Sequence, residues 1–281
     1  MTRKEIYPTA AEEIVSSSGD MVELVSNPKG WRWKDVHAYP LPPMNFEESD
    51  AGSLAGARAY TEMLRSPLGD FNGEKLSLRE IALVSGHLKI SYSETDYFTL
   101  WGMPAKAPSL MARGMDDLCR NGKTDVPFGI YVALTVLLTG KDEPKLVTIV
   151  QSENHGFHPG KISLIEEQME PADIDTFFAA SRGATEEAGI YYPSGGSLLL
   201  GVAVHKSIPY VAFNHLLGVS VSEEEFKKHL WPGRTDPGEG IAVSCIPISK
   251  INNLRRNPDL HPSTHWRLDL LEKYLKESGI K

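Results

Sequence analysis

From residue 126 onward the sequence predicts an α/β sandwich with a mixed sheet, preceded by an N-terminal α+β extension. Three observations carry this. Strand-like and helix-like segments follow in the order strand, strand, helix, strand, strand, helix, strand, helix, and paired strands between helices imply mixed pairing rather than a repeated βαβ wind. The 281 residues are enough to bury a sizeable core, in one large domain or two modest ones. Hydrophobic residues at 41% and charged residues at 23% sit near globular averages, which excludes global disorder.

In chain order, Thr9 with Glu12 three residues later forms a capping box opening a short helix. The run Tyr39-Pro40-Leu41-Pro42-Pro43 is extended, because proline biases its predecessor away from helix. Ala51–Leu64 reads as a helix with Leu54, Ala57, Tyr60 and Leu64 on one stripe, and otherwise residues 1–75 are loop-rich. Leu78–Leu88 and Lys89–Leu100 read as a strand pair broken near Gly86, the second rich in Tyr, Thr and Phe. Leu110–Asn121 is helical and closes at Gly122. Phe128–Leu138 and Lys145–Gln151 are strands, followed by a helix over Asp175–Ala188 that Gly189 stops. Leu198–His205, Tyr210–Val219 and Ile241–Ile248 are further strands. Ser222–His229 is a short helix opened by Ser222, and Pro262–Ser278 is the closing helix.

Charge narrows the partners. Lys+Arg at 29 against Asp+Glu at 37 gives a net −8, which argues against bulk nucleic-acid binding or an anionic membrane surface. A local pocket for a small anion remains compatible with it. Cys119 and Cys245 are too few for a disulfide framework or a cysteine-based zinc site. The start MTRKEIYPTAAEE lacks the apolar run of a signal peptide, and the longest apolar stretches fall short of the ~20 residues of a membrane helix. The expected setting is cytoplasmic, with no membrane partner and with a homodimer as an allowed assembly.

The segment Phe177–Ile190 (FFAASRGATEEAGI) carries the chemistry. Asp173 or Asp175 can cap its helix. Gly183, Glu186 and Glu187 share a face at i, i+3 and i+4, and Arg182 lies four residues before Glu186. Neighbouring carboxylates on a rigid helix suit a hard cation such as Mg²⁺. The plainer reading is that both glutamates are solvated surface charges.

Arg182-Gly183-Ala184-Thr185-Glu186-Glu187-Ala188-Gly189-Ile190 resembles the second half of the Nudix box, Arg-Glu-aliphatic-x-Glu-Glu-x-Gly-aliphatic. Pro159–Ser163 and Glu166–Pro171 resemble the loop leading into that box, and the flanking strand order is similar to the Nudix α/β/α sandwich. The likeness covers roughly residues 126–281, which sets a boundary near 125 and leaves 1–125 as an N-terminal extension or small domain. The resemblance implies cleavage of a nucleoside diphosphate linked to another moiety, with Mg²⁺ or Mn²⁺ as cofactor. It implies Glu187, Arg182 and Glu167 as catalytic residues, and Glu186, Glu187, Glu166 and Glu170 as metal ligands.

Two departures stand out. Counting back from Arg182 puts Ile174 where the family pattern has Glu and Gln168 where it has Gly. An insertion would let Glu170, Glu167 or Glu166 take the Glu role. Gly183 replaces the Glu that follows the Arg, although a helical glycine costs ~1 kcal/mol relative to alanine. Such a break marks either a functional site or a close approach by a neighbouring strand. The alternative to a hydrolase is accordingly a catalytically impaired Nudix-like domain that binds or senses a nucleotide, or a protein-interaction scaffold.

Weaker signals have ordinary readings. His155 and His158 have a metal-like spacing without a second ligand pair and read as a turn. His261 and His265 open the last helix, with Pro262 where a zinc-protease motif needs Glu. Ser194-Gly195-Gly196-Ser197 could cradle a phosphate but reads first as a turn. Trp31, Trp33 and Trp101 could stack a base, though isolated aromatics usually belong to a core. No Walker-type loop is present.

Overall fold

A computed structural model describes residues 20–44, 46–65, 72–140, 142–152, 159–237 and 240–280. The Thr9/Glu12 capping box and the His155/His158 pair lie outside them.

Among the described residues, eleven strands form one mixed sheet with helices on both faces. Its main path runs β1 (Met21–Trp31), β9 (Leu198–His205), β10 (Tyr210–Val219), β5 (Gly129–Leu138), β3 (Glu74–Val84), β4 (His87–Asp96), β2 (Val36–Pro40). β10 with β5 and β2 with β4 are parallel, while β1 with β9 and β3 with β4 are antiparallel. β6 (Lys145–Gln151), β7 (Ile162–Ser163), β8 (Ile165–Gln168) and β11 (Gly240–Pro247) branch from β5.

β5 explains why the sandwich has two cores. Every residue of it is buried, and successive side chains point to opposite faces. Ile130, Val132, Leu134 and Val136 join Phe177, Ala180, Ala184 and Ala188 of α4 (Thr176–Ala188). Tyr131, Ala133 and Leu137 join Trp266, Leu270 and Leu271 of α7 (Pro262–Ser278) on the other side. The small residues of α4 let its backbone lie close to the sheet, and Phe177 adds about 1.5–3 kcal/mol of burial.

β5 also changes partner. Tyr131–Leu134 pairs with β8, whereas Leu137 and Leu138 pair with β6. The sheet forks between them. At that fork the fully buried Arg267 of α7 donates to the carbonyls of Leu134 (2.9 Å) and Ile165 (2.8 Å).

Three parts of the sequence reading need correction. The loop-rich start contains β1, whose Asn27-Pro28-Lys29-Gly30 stretch looks like a turn but forms an irregularity in an edge strand. The strand expected to reach Leu100 ends at Asp96, which accepts from the Thr99 N–H (3.0 Å) and opens α2 (Tyr97–Lys106). β7 and β8 lie in what read as a loop, too short to show an alternation. The helices α1 (Glu48–Arg65), α3 (Pro108–Asn121), α4 and α7 fall where periodicity puts them, and the short α6 (Ile251–Arg255) precedes α7. Ser222 caps α5 (Glu223–Glu225), which continues as a π turn over Phe226–Leu230. No helix among the described residues is long and apolar enough to cross a membrane.

Candidate functional site

α4 begins at Asp175, whose carboxylate accepts from the N–H groups of Phe177 and Phe178 (both 2.9 Å). It ends at Gly189, which takes the left-handed conformation (φ +66°). With Asp175 as the cap, Asp173 is released for another task. Although 4% exposed, it receives Arg182 Nη2 at 2.8 Å and Nε at 3.2 Å.

Arg182 is the hub. Its Nη1 contacts Glu167 of β8 at 2.9 Å and Glu186 at 3.2 Å, and its Nη2 also donates to the Gln168 carbonyl at 2.8 Å. One guanidinium thus gathers three carboxylates from β8, the loop before α4 and α4 itself. Burial pushes the guanidinium pKa down, but the bonds to Asp173 and Glu167 outweigh it and raise it above its ordinary value.

The missing side chain at 183 has a direct structural counterpart. A Cβ built on Gly183 would lie 2.8 Å from Cβ and 3.3 Å from Cγ of Glu167. Of the three glutamates that could replace a box carboxylate at 183, Glu167 is the one that packs against Gly183. Glu187, one turn on from Gly183, is buried at 4% exposure, whereas Glu186 is half-buried.

Glu166 and Glu170 each have a cation of their own, although the Glu170 N–H also donates to Asp173 (2.9 Å). Adjacent residues of a strand face opposite sides of a sheet. Glu166 therefore faces α7, where Arg267 (2.9 Å) and the Ser263 hydroxyl (3.0 Å) donate to it. Glu170 accepts from Lys75 at 2.9 Å. Burial pushes the Glu170 carboxyl up, and Lys75 more than offsets this, leaving its pKa below the usual range.

The donor set suits a hard divalent cation in kind, being all oxygen and holding more carboxylates than cationic groups. It is not gathered round a common point. Among the described residues no group of three or more His, Cys, Asp or Glu side chains is arranged to hold a metal ion, and Glu167, Asp173 and Glu186 are each drawn to Arg182.

The sequence reading missed Asp173 as a partner of Arg182, having weighed it only as a cap, and missed Arg267 altogether. An arginine among apolar neighbours in Trp266-Arg267-Leu268 was the one available signal for the latter. Ser194–Ser197 is a turn, with Gly196 N–H donating to the Pro193 carbonyl (2.9 Å) and Ser197 bonding His215 (3.1 Å). His261 caps α7 through its ring nitrogen. Trp31 is core and Trp101 lies under the Arg65 guanidinium, but Trp33 is 55% exposed, against the core role expected for it.

The chain is thus an α/β protein whose mixed sheet presents a helix bearing an arginine-centred group of carboxylates. No family model matches it, and no curated protein matches it. Among solved structures it is similar to a MutT/Nudix family protein from Listeria innocua (16% identity, TM-score 0.41, 54% of this chain and 96% of that one). It is similar to the MutT protein of Methanosarcina mazei Go1 (21% identity, TM-score 0.38, 54% and 96%). A third is the Nudix domain of Shewanella oneidensis NrtR complexed with ADP-ribose (12% identity, TM-score 0.40, 52% and 87%).

Proposed function

We propose that the chain hydrolyses a nucleoside diphosphate linked to another moiety, using the Arg182 face of α4 within a unit spanning residues 126–281. The observation that carries this is the gathering of Glu167, Asp173 and Glu186 on one guanidinium beside the buried Glu187. Mg²⁺ or Mn²⁺ held by Glu186 and Glu187 would add the positive charge that a diphosphate needs beside these carboxylates. When bound, that ion neutralises the diphosphate and eases deprotonation of water. Arg182 holds the Glu167 and Glu186 carboxylates in place. Glu167 takes the proton of the attacking water as its oxygen bonds phosphorus and the phosphorus–oxygen bond to the leaving phosphate breaks. Glu166 and Glu170 join the ligand set only by leaving Arg267 and Lys75, just as Glu167 and Glu186 join it only by turning from Arg182.

A second reading, nucleotide binding without turnover, is favoured by one observation, the absence of a carboxylate at Gly183. A panel of nucleoside diphosphate derivatives, ADP-ribose among them, incubated with Mg²⁺ or Mn²⁺ separates the two. The hydrolase reading expects product that a Glu187→Gln variant fails to form. Equal product from both proteins, or none from either, would sink it, and calorimetric binding without product would favour the second reading.

A further inference from the structure

Residues 169–175, between β8 and α4, carry two aspartates on which the site depends. Asp175 caps α4, and Asp173 holds Arg182. The segment has no strand or helix of its own, so its polar groups need partners elsewhere. It closes one turn on itself, with the Asp173 N–H donating to the Glu170 carbonyl and the Glu170 N–H to the Asp173 carboxylate (both 2.9 Å).

Four further anchors come from the chain before residue 126. In β3, the Leu76 N–H donates to the Met169 carbonyl (3.2 Å) and Lys75 to the Glu170 carboxylate (2.9 Å). In β4, the Tyr92 hydroxyl donates to the Ile174 carbonyl (3.2 Å). Ahead of β2, the Trp33 indole N–H donates to the Asp175 carboxylate (2.7 Å).

These anchors are unequal. The Lys75 pair lies partly in water and contributes little. The indole N–H meets a buried carboxylate, and a bond to a charged acceptor is about twice as strong as a neutral one. Burial first, and Asp175 second, push the Tyr92 pKa up, so its hydroxyl remains a donor. Trp33 and Tyr92 thus grip adjacent residues at the root of α4, and Asp173 comes next in the chain. Asp173 meets Arg182 through both carboxylate oxygens, and Arg182 in turn holds Glu167 and Glu186. A shift of the segment therefore passes directly to the guanidinium, and a misplacement of about 1 Å can slow a reaction about a hundredfold.

We propose that Trp33 and Tyr92 are positioning residues, which fix residues 173–175 from the chain before residue 126 and, through Asp173, fix Arg182 and its carboxylates. The effect on turnover rests on the hydrolase reading given above; the effect on Arg182 does not.

Hydrogen exchange of the full chain, followed by NMR, tests the proposal. Tyr92→Phe and Trp33→Phe each remove one donor and keep an aromatic ring. In either variant the N–H groups of Glu170, Asp173 and Phe177, and the Arg182 Nε–H, should exchange about tenfold faster. That corresponds to about 1.4 kcal/mol, the size of one such bond. The amides of Val211 and Phe213 in β10 should stay within about twofold of wild type. If Trp33→Phe fails to fold, Tyr92→Phe, which loses a single oxygen, carries the comparison. Unchanged exchange, a rise spread equally over the chain, or a local rise that stops short of Arg182 overturns the proposal. On a nucleoside diphosphate derivative that the wild type cleaves, kcat should fall about tenfold with KM within about twofold. A raised KM at unchanged kcat would overturn the positioning role. A wild-type chain that cleaves no derivative, yet shows the local rise in exchange, sinks hydrolysis and upholds the positioning of Arg182.

Discussion

Restoring glutamate at position 183 has a cost that can be worked out from the packing. The new Cβ would sit 2.8 Å from Glu167 Cβ, where carbon atoms ordinarily rest about 3.5–4.0 Å apart. Neither atom yields easily, because Gly183 lies within α4 and Glu167 is paired with Val132 in the sheet. Overpacking of this kind costs about 1–3 kcal/mol. Removing a helical glycine returns ~1 kcal/mol, and a further carboxylate beside Glu167, Glu186 and Asp173 subtracts from that gain. Gly183→Glu should therefore be about 1–3 kcal/mol less stable than wild type in urea denaturation. Its Tm should fall by several degrees, at about 2–4 °C per kcal/mol for a chain of this size. Glu167→Ala keeps the clashing Cβ, so only Glu167→Gly makes room. The double variant should then be more stable than the two single effects predict, by about 1 kcal/mol or more. Wild-type stability in Gly183→Glu, or strict additivity in the double variant, would refute the claim that one site cannot hold both side chains.

Other outcomes follow from the same contacts. Arg182→Met leaves three carboxylates facing one another, and with the arginine side chain a quarter exposed the loss measured by denaturation should be about 2–4 kcal/mol. Arg267→Met strips the donor from Glu166 and two buried carbonyls and should cost about 3–5 kcal/mol. Arg267→Lys should recover little of it, since an ammonium cannot span those acceptors as a planar guanidinium does. His215 is fully buried against the Phe177 ring, and burial lowers its pKa to about 3. The unfolded chain therefore binds a proton there below about pH 6.5 while the folded one stays neutral, so stability drops as pH falls from about 6.5 toward 3. Between pH 6 and 5 this single group contributes up to about 1.4 kcal/mol per pH unit. Denaturation of His215→Asn over that interval should show a shallower slope, and an unchanged slope would contradict the assignment.

The legible parts of the fold were those where one physical signal acted alone. The unbroken apolar run of β5 and the glycine-stopped helices α3 and α4 announce themselves. β1 did not, because its Asn-Pro-Lys-Gly stretch carries the chemistry of a turn and only the neighbouring β9 makes it a strand. Within the site, Arg182, Glu186 and Glu187 were visible from helical spacing. Which of Glu166, Glu167 and Glu170 stands beside Gly183 was not, because the answer depends on the two-residue period of a strand too short to recognise. Asp173 and Asp175 were equally good caps on paper. Trp33 could be told from a core tryptophan only once Asp175 was seen to hold it at the surface.

Mn²⁺ binding to the wild-type chain, followed by the paramagnetic resonance of the bound ion, tests the central claim most directly. The account predicts stoichiometric binding at α4 that weakens strongly in Glu186→Gln and Glu187→Gln, with no change in Glu272→Gln, whose carboxylate pairs with Arg255 (3.0 Å). Failure of the wild type to bind Mn²⁺, or equal binding in all of these proteins, would contradict it.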